Sequence, residues 1–90
     1  MRTIERSVQF KEDYQRERHG PHGKEIDADL AVVFGYLMAD KPMPTRYPIK
    51  LPQEQMPEYR DCYIYADLVL IFAKTKDGVL RVLRLVRQGL

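Results

Sequence analysis

The residues of this chain best suited to chemistry lie in its second half. Tyr59, Tyr63 and Tyr65 stand an even number of positions apart, so in an extended segment they share one face. Aromatic rings grouped in this way can stack on unstacked nucleobases, and a phenol can donate its hydroxyl to a phosphate. Further along, Lys74, Lys76, Arg81, Arg84 and Arg87 face a single acid, Asp77, between positions 73 and 90. A guanidinium such as that of Arg84 can grip a phosphate through two parallel N–H donors. Lys50 can stabilise charge developing on a phosphoryl oxygen, or exchange a proton if its pKa is depressed.

Each candidate has a plainer alternative. Tyrosine is common in strands, and a loop lysine is usually just solvated. Arg84 can pair with Asp61 or Asp67 at a sheet edge. Asp67 falls in a tight turn, where aspartate is expected for backbone reasons alone. Arg87 can contact phosphates, yet it lies next to a chain end that can fray. His19 and His22 flank Gly20-Pro21 in a loop that reads as solvent-exposed and away from the cleft, and neither is assigned to catalysis or to a metal.

The elements that must position these groups follow from pattern. Residues 3–6 suit a short strand; Ser7 then offers an N-cap to a helix carrying Phe10 and Tyr14 one turn apart. A second helix over residues 24–39 places Ile26, Leu30, Val33, Phe34 and Leu37 at helical spacing, with Asp27 and Asp29 near its positive end. The prolines of residues 41–57 exclude a helix or a central strand there. Three strands are expected over residues 59–65, 68–74 and 79–87, joined by turns at Ala66-Asp67 and Lys76-Asp77-Gly78. The last of these can also be read as a helix, because its arginines recur every third residue; the hairpin turn and the valines favour a strand. The result is a single α+β domain over residues 1–90, ordered β-α-α-β-β-β, with the helical hairpin packed on one face of an antiparallel sheet.

A two-residue turn at Ala66-Asp67 sets Tyr65 opposite Leu68, Tyr63 opposite Leu70 and Asp61 opposite Phe72. Cys62, Ile64, Val69, Ile71 and Ala73 then form the core face. Tyr59, Asp61, Tyr63, Tyr65, Leu70, Phe72 and Lys74 form the candidate site face. A three-residue loop with Gly78 in the left-handed region sets Arg84 opposite Leu70, beside Tyr63.

Fifteen basic against thirteen acidic residues give a net charge of +2, which permits a nucleic-acid partner without demanding one. One cysteine, no long apolar stretch and a charged first decapeptide predict a cytoplasmic protein without disulfides, signal peptide or membrane span.

The run from Tyr59 through Arg60-Asp61-Cys62-Tyr63-Ile64-Tyr65-Ala66-Asp67-Leu68 to Phe72 resembles the signature of YafQ-type toxins in the RelE/ParE superfamily, and Ser7 to Tyr14 resembles that family's first helix. The resemblance implies the same β-α-α-β-β-β fold. It also implies a type II toxin, silenced by a cognate antitoxin, that cleaves messenger RNA on the ribosome by 2′-OH transesterification with no cofactor or metal. By matching position Asp67 and Arg84 carry over as catalytic. Lys50 and Tyr63 occupy histidine positions of the family with a different chemistry; Tyr59, Tyr65, Lys74 and Arg87 are the RNA-binding residues expected from the tyrosine-rich face and the basic end of the chain. The third family histidine falls near Arg87-Gln88-Gly89 and is also absent. The alternative is a toxin-fold protein that binds without cutting, either a ParE-like gyrase inhibitor or a degenerate toxin that pairs with its antitoxin to repress their operon.

Overall fold

A computed structural model describes residues 2–50 and 58–88; residues 51–57 of the proline-rich connector and the terminal Gly89 and Leu90 lie outside the described residues. Strand β1 (Thr3–Arg6) leads into helix α1 (Val8–Arg18), followed by helix α2 (Ile26–Met38). Strands β2 (Ile49–Lys50), β3 (Arg60–Tyr65), β4 (Leu68–Lys74) and β5 (Val79–Arg87) complete a sheet ordered β1-β5-β4-β3-β2. The α+β class and the order of the long elements are those expected. The final segment is a strand. Two features refine the expectation: β1 runs parallel to β5, so the sheet is mixed, and the connector contributes the two-residue edge strand β2. A strand so short beside Pro48 fits at an edge, where a missing amide donor costs little.

Local chemistry sets the helix boundaries. Ser7 Oγ accepts the Phe10 amide at 2.9 Å and caps α1. The same hydroxyl donates to the Leu83 carbonyl of β5 at 2.6 Å. Helix α2 buries Ile26, Leu30, Val33 and Leu37 against Cys62, Ile64, Leu68, Leu70, Phe72, Leu80, Val82 and Leu85 of the sheet. Burying an aliphatic side chain of this kind contributes about 1.5–3 kcal/mol, so this layer holds the sheet in place. Burial also pushes the Cys62 thiol up to about 12, as befits a small core residue. No helix among the described residues is long and apolar enough to cross a membrane.

The β4–β5 loop is the expected three-residue one: Lys74 pairs with Leu80, and Gly78 adopts φ +83°. Two bulges then overturn the expected faces. One in β3 moves the pairing from Tyr63↔Val69 to Tyr65↔Leu68, and one in β5 moves it from Phe72↔Val82 to Ile71↔Arg84. Each adds a residue on one strand and reverses the alternation beyond it. Leu70 and Phe72, expected on the site face, therefore lie in the core under the helices, whereas Val69, Ile71 and Ala73, expected there, take the opposite face. Arg84 pairs with Ile71 and not with Leu70. Tyr65 turns its hydroxyl to the helical side, onto Asp29 of α2.

Candidate functional site

The sheet face turned away from the helices carries a register row running Lys50, Asp61, Ile71, Arg84 across β2, β3, β4 and β5. Adjacent strands lie about 4.8 Å apart, so the row spans roughly 14 Å. Tyr63, Val69 and Val86 form the next row. At the β2 end a depression of about 510 Å3 opens to solvent, lined by Thr45, Arg46, Pro48, Lys50, Tyr63, Tyr65 and Ala66. Lys50 Nζ stands 5.7 Å from the centre of the Tyr63 ring. Among the described residues no carboxylate pairs with Lys50. An ammonium over an aromatic face, still open to solvent, remains available to a phosphate.

Tyr65 contributes its ring to the depression, but its hydroxyl points the other way. It donates to Asp29 of α2, as does Tyr47, and burial followed by this hydrogen bond pushes the Tyr65 phenol up. For Asp29 itself burial opposes ionisation; the Tyr47 and Tyr65 hydroxyls, with the charges of Arg46 and His22, outweigh it and hold the carboxyl below its ordinary range. Arg46 Nη2 lies 3.3 Å from Asp29, and its side chain is 70% exposed, which leaves most of the guanidinium facing solvent beside Lys50.

Arg84, Arg87, Asp67 and Lys74 are committed to internal partners. Arg84 Nε and Nη2 donate to Asp13 at 2.7 and 3.1 Å, so the partner is neither Asp61 nor Asp67 but an acid of α1. Asp13 is only 1% exposed, and it also accepts the Leu85 amide at 3.1 Å. Burial would raise its carboxyl; the bonds from Arg84 and Leu85, and the charges of Arg84 and Arg16, outweigh that and hold it low. Arg87 donates to the fully buried Glu17 at 2.8 Å and to Asp67 at 3.2 Å. Arg16 links the two acids, bonding Asp13, Glu17 and the Leu85 carbonyl. This ladder covers the edge of β5 beyond the end of β1: Ser7, Asp13 and Arg16 satisfy the Leu83 and Leu85 backbone groups that a partner strand would otherwise take.

Asp67 joins the ladder through Arg87 and accepts His22 Nε2 at 2.8 Å on its other oxygen. The His22 bond, ahead of opposing burial, holds the Asp67 carboxyl low. His22 is thus not remote from the site, as the sequence suggested; the helical hairpin folds it onto Tyr65, ring centres 3.9 Å apart. Tyr59 lies in a separate hollow of about 200 Å3 with Glu5, Ser7, Arg81, Val82 and Leu83. Lys74 bonds Asp40 at 2.8 Å at the far end of β4. The structure thus joins Lys50, Tyr63 and the Tyr65 ring, ties Asp67 to Arg87, and leaves Arg84, Tyr59 and Lys74 apart. Among the described residues no group of three or more His, Cys, Asp or Glu is arranged to hold a metal.

Sequence reasoning missed Asp13, Glu17, Asp29, Arg46 and His22. A signal existed for the first two: Asp13 and Glu17 are in helical phase with Phe10, so the buried stripe of α1 carries two acids. Their partners Arg84 and Arg87 are spaced one short step apart on β5.

A two-helix hairpin on a five-stranded mixed sheet is the fold of RelE-like toxins. The chain superimposes on a metal-bound toxin from Helicobacter pylori with a TM-score of 0.81 at 24% identity, covering 97% of this chain and 94% of that one. It also superimposes on YafQ from E. coli, TM-score 0.75 at 30% identity, covering 98% and 94%. The E. coli DinJ-YafQ complex matches at 29% identity with a TM-score of 0.75, covering 97% and 93%. The family described as a bacterial toxin of type II toxin-antitoxin system, YafQ, matches residues 2–90. The chain belongs to the YafQ family of type II toxins. No curated protein sequence matches it.

Proposed function

We propose that this toxin is an endoribonuclease that cuts messenger RNA on the cytoplasmic ribosome. The observation that carries the reading is Lys50 poised over Tyr63, with Arg46 alongside, in an open depression. A ribose 2′-OH can attack its own neighbouring phosphate, so the protein need only hold the strand, stabilise the phosphorane and move protons. Lys50 and Arg46 supply positive charge; Tyr63 stacks on a base or donates its hydroxyl. Arg84 lies on the same register row and, though bonded to Asp13, keeps a 40% exposed side chain that offers the RNA backbone a contact further along, while Asp67 and Arg87 fix the turn beside the depression. Tyr59 with Arg81 offers a second stacking surface, and Lys74 a peripheral phosphate contact. The E. coli relative is found with DinJ, which supports a cognate antitoxin as the partner of this chain.

The test is primer extension on a reporter messenger RNA after brief induction of the wild type and of a Lys50→Ala, Tyr63→Phe variant. Translation-dependent 5′ ends from the wild type alone support the reading. Their absence from folded wild type with translating ribosomes overturns it.

A specific observation favours the second reading, a toxin that binds without cutting: Arg84 and Arg87 already hold Asp13 and Glu17. Growth arrest with intact messenger RNA, or antitoxin-dependent binding to operator DNA, supports that reading.

A further inference from the structure

Glu5 of β1 and Arg81 of β5 stand opposite each other in the parallel ladder, and Arg81 Nε lies 3.3 Å from Glu5 Oε1. More than half of each side chain is exposed, so as a bridge between strands the pair contributes little to stability. The two side chains meet only at that corner. Asp77 feels the charge of Arg81 without bonding to it, and among the described residues no other hydrogen bond or ion pair occupies the Nη groups of Arg81 or the second oxygen of Glu5. The pair therefore shows solvent two donors beside two acceptors. A hollow of about 200 Å3 lies against it, with the ring of Tyr59 and the side chains of Val82 and Leu83 as further walls. Ser7, also on the rim, is already spent: its hydroxyl donates to the Leu83 carbonyl and accepts the Phe10 amide.

We propose that this hollow reads a guanine of the bound RNA: Tyr59 stacks on the base, Arg81 donates to N7 and O6, and Glu5 accepts from N1–H and the N2 amine. This rests on the RNA-binding reading above and adds a base preference to it. Along its open edge guanine presents two acceptors and then two donors. Adenine and uracil present acceptor, donor, acceptor, and cytosine a donor followed by two acceptors. A guanidinium and a carboxylate side by side are thus the complement of guanine alone, each making a two-bond, charge-assisted contact. Stacking on a tyrosine tolerates any base, so the choice falls to the charged pair. The hollow is also placed for the same strand of RNA. Arg81 pairs with Ala73, two residues along β4 from Ile71 of the row that joins Lys50 to Arg84, which sets hollow and row roughly 7 Å apart along the strands. Cations along that row hold the backbone without regard to sequence, and the hollow beside it supplies the sequence contact.

The experiment measures, by fluorescence anisotropy, the binding of 2′-O-methylated oligouridylates, which cannot be cleaved, with the central base left as uracil or replaced by guanine, adenine, cytosine or hypoxanthine. The guanine oligomer should bind the wild type about tenfold more tightly than the all-uracil one, the low end of what a bidentate base contact discriminates. Hypoxanthine, which lacks the N2 amine, should fall between them. In Glu5→Gln, where an N–H donor replaces one acceptor, the ratio should drop to about one, with the urea midpoint reporting that the variant is folded. Arg81→Lys, which keeps the charge but loses the fork, should lower the ratio likewise. Beside this, NMR follows the Tyr59 ring as GMP or AMP is added, and GMP alone should shift it. Equal binding of all oligomers by the wild type, with Tyr59 unmoved by GMP, overturns the proposal and leaves the RNA reading standing. A guanine preference that survives in folded Glu5→Gln overturns it too. If GMP shifts Tyr59 but no oligomer binds, the guanine site is upheld and the RNA reading fails; silence in both assays removes both.

Discussion

The two charged regions of this molecule use similar residues to opposite ends. Along β5, Arg84, Arg87 and Arg16 are bonded to Asp13 and Glu17, acids that α1 buries against the strand edge. At the other side of the sheet, Lys50 and Arg46 present cationic groups largely to solvent around an aromatic ring. A cation on a strand is therefore a poor guide to a binding site until its partner is known. A guanidinium with two bonds to a buried carboxylate and less than half its side chain exposed is part of the frame; a largely exposed cation beside a tyrosine is still available.

Substitutions should separate the two. Asp13→Ala strips two bonds from Arg84, one from Arg16 and one from the Leu85 amide at a buried position, so urea denaturation should show a loss of about 3 kcal/mol. Lys50→Ala should leave the urea midpoint within about 0.5 kcal/mol of wild type and lower RNA cleavage on the order of a hundredfold, measured as single-turnover rates on ribosome-bound messenger RNA. Equal losses of stability in the two variants would mean that the two regions do not differ in this way. Arg84→Ala, whose side chain is 40% exposed, should cost about 1 kcal/mol by the same denaturation, with a smaller change in cleavage per folded molecule than Lys50→Ala.

Acid should weaken both regions. The carboxyls of Asp13, Asp29 and Asp67 are held below the ordinary 3.8, and that of Asp40 is lowered to about 2 by hydrogen bonds from Lys74 and Arg2. Each binds its proton more readily in the unfolded chain. Their contribution is therefore complete above about pH 5 and is lost as pH falls through 3.8 and below. The urea midpoint followed down to pH 2.5 should drop less steeply in Asp13→Asn, which has already lost that titration. The smallest effect is expected for Lys74→Ala, an exposed pair with Asp40, which should leave the thermal midpoint almost unchanged.

The sequence by itself determined the elements and much of their chemistry. Ser7 as a cap, the apolar period of Ile26 to Leu37, the Gly78 loop and the β-rich run from Arg60 to Arg87 are local signals, written in residues close along the chain. The tyrosine and lysine of the depression were legible for the same reason, as was the family signature that carries Asp67. What only the tertiary structure decided were the pairings between distant elements. Two bulges, which no local propensity announces, exchanged the faces of Tyr65, Leu70 and Phe72. Asp13 and Glu17 drew no notice in the sequence and gained their roles only where β5 met them, and His22 read as a loop residue until the hairpin laid it on Tyr65. A charge or an imidazole takes its role from whatever the fold sets within about 3 Å of it, and that neighbour lies dozens of residues away in the chain.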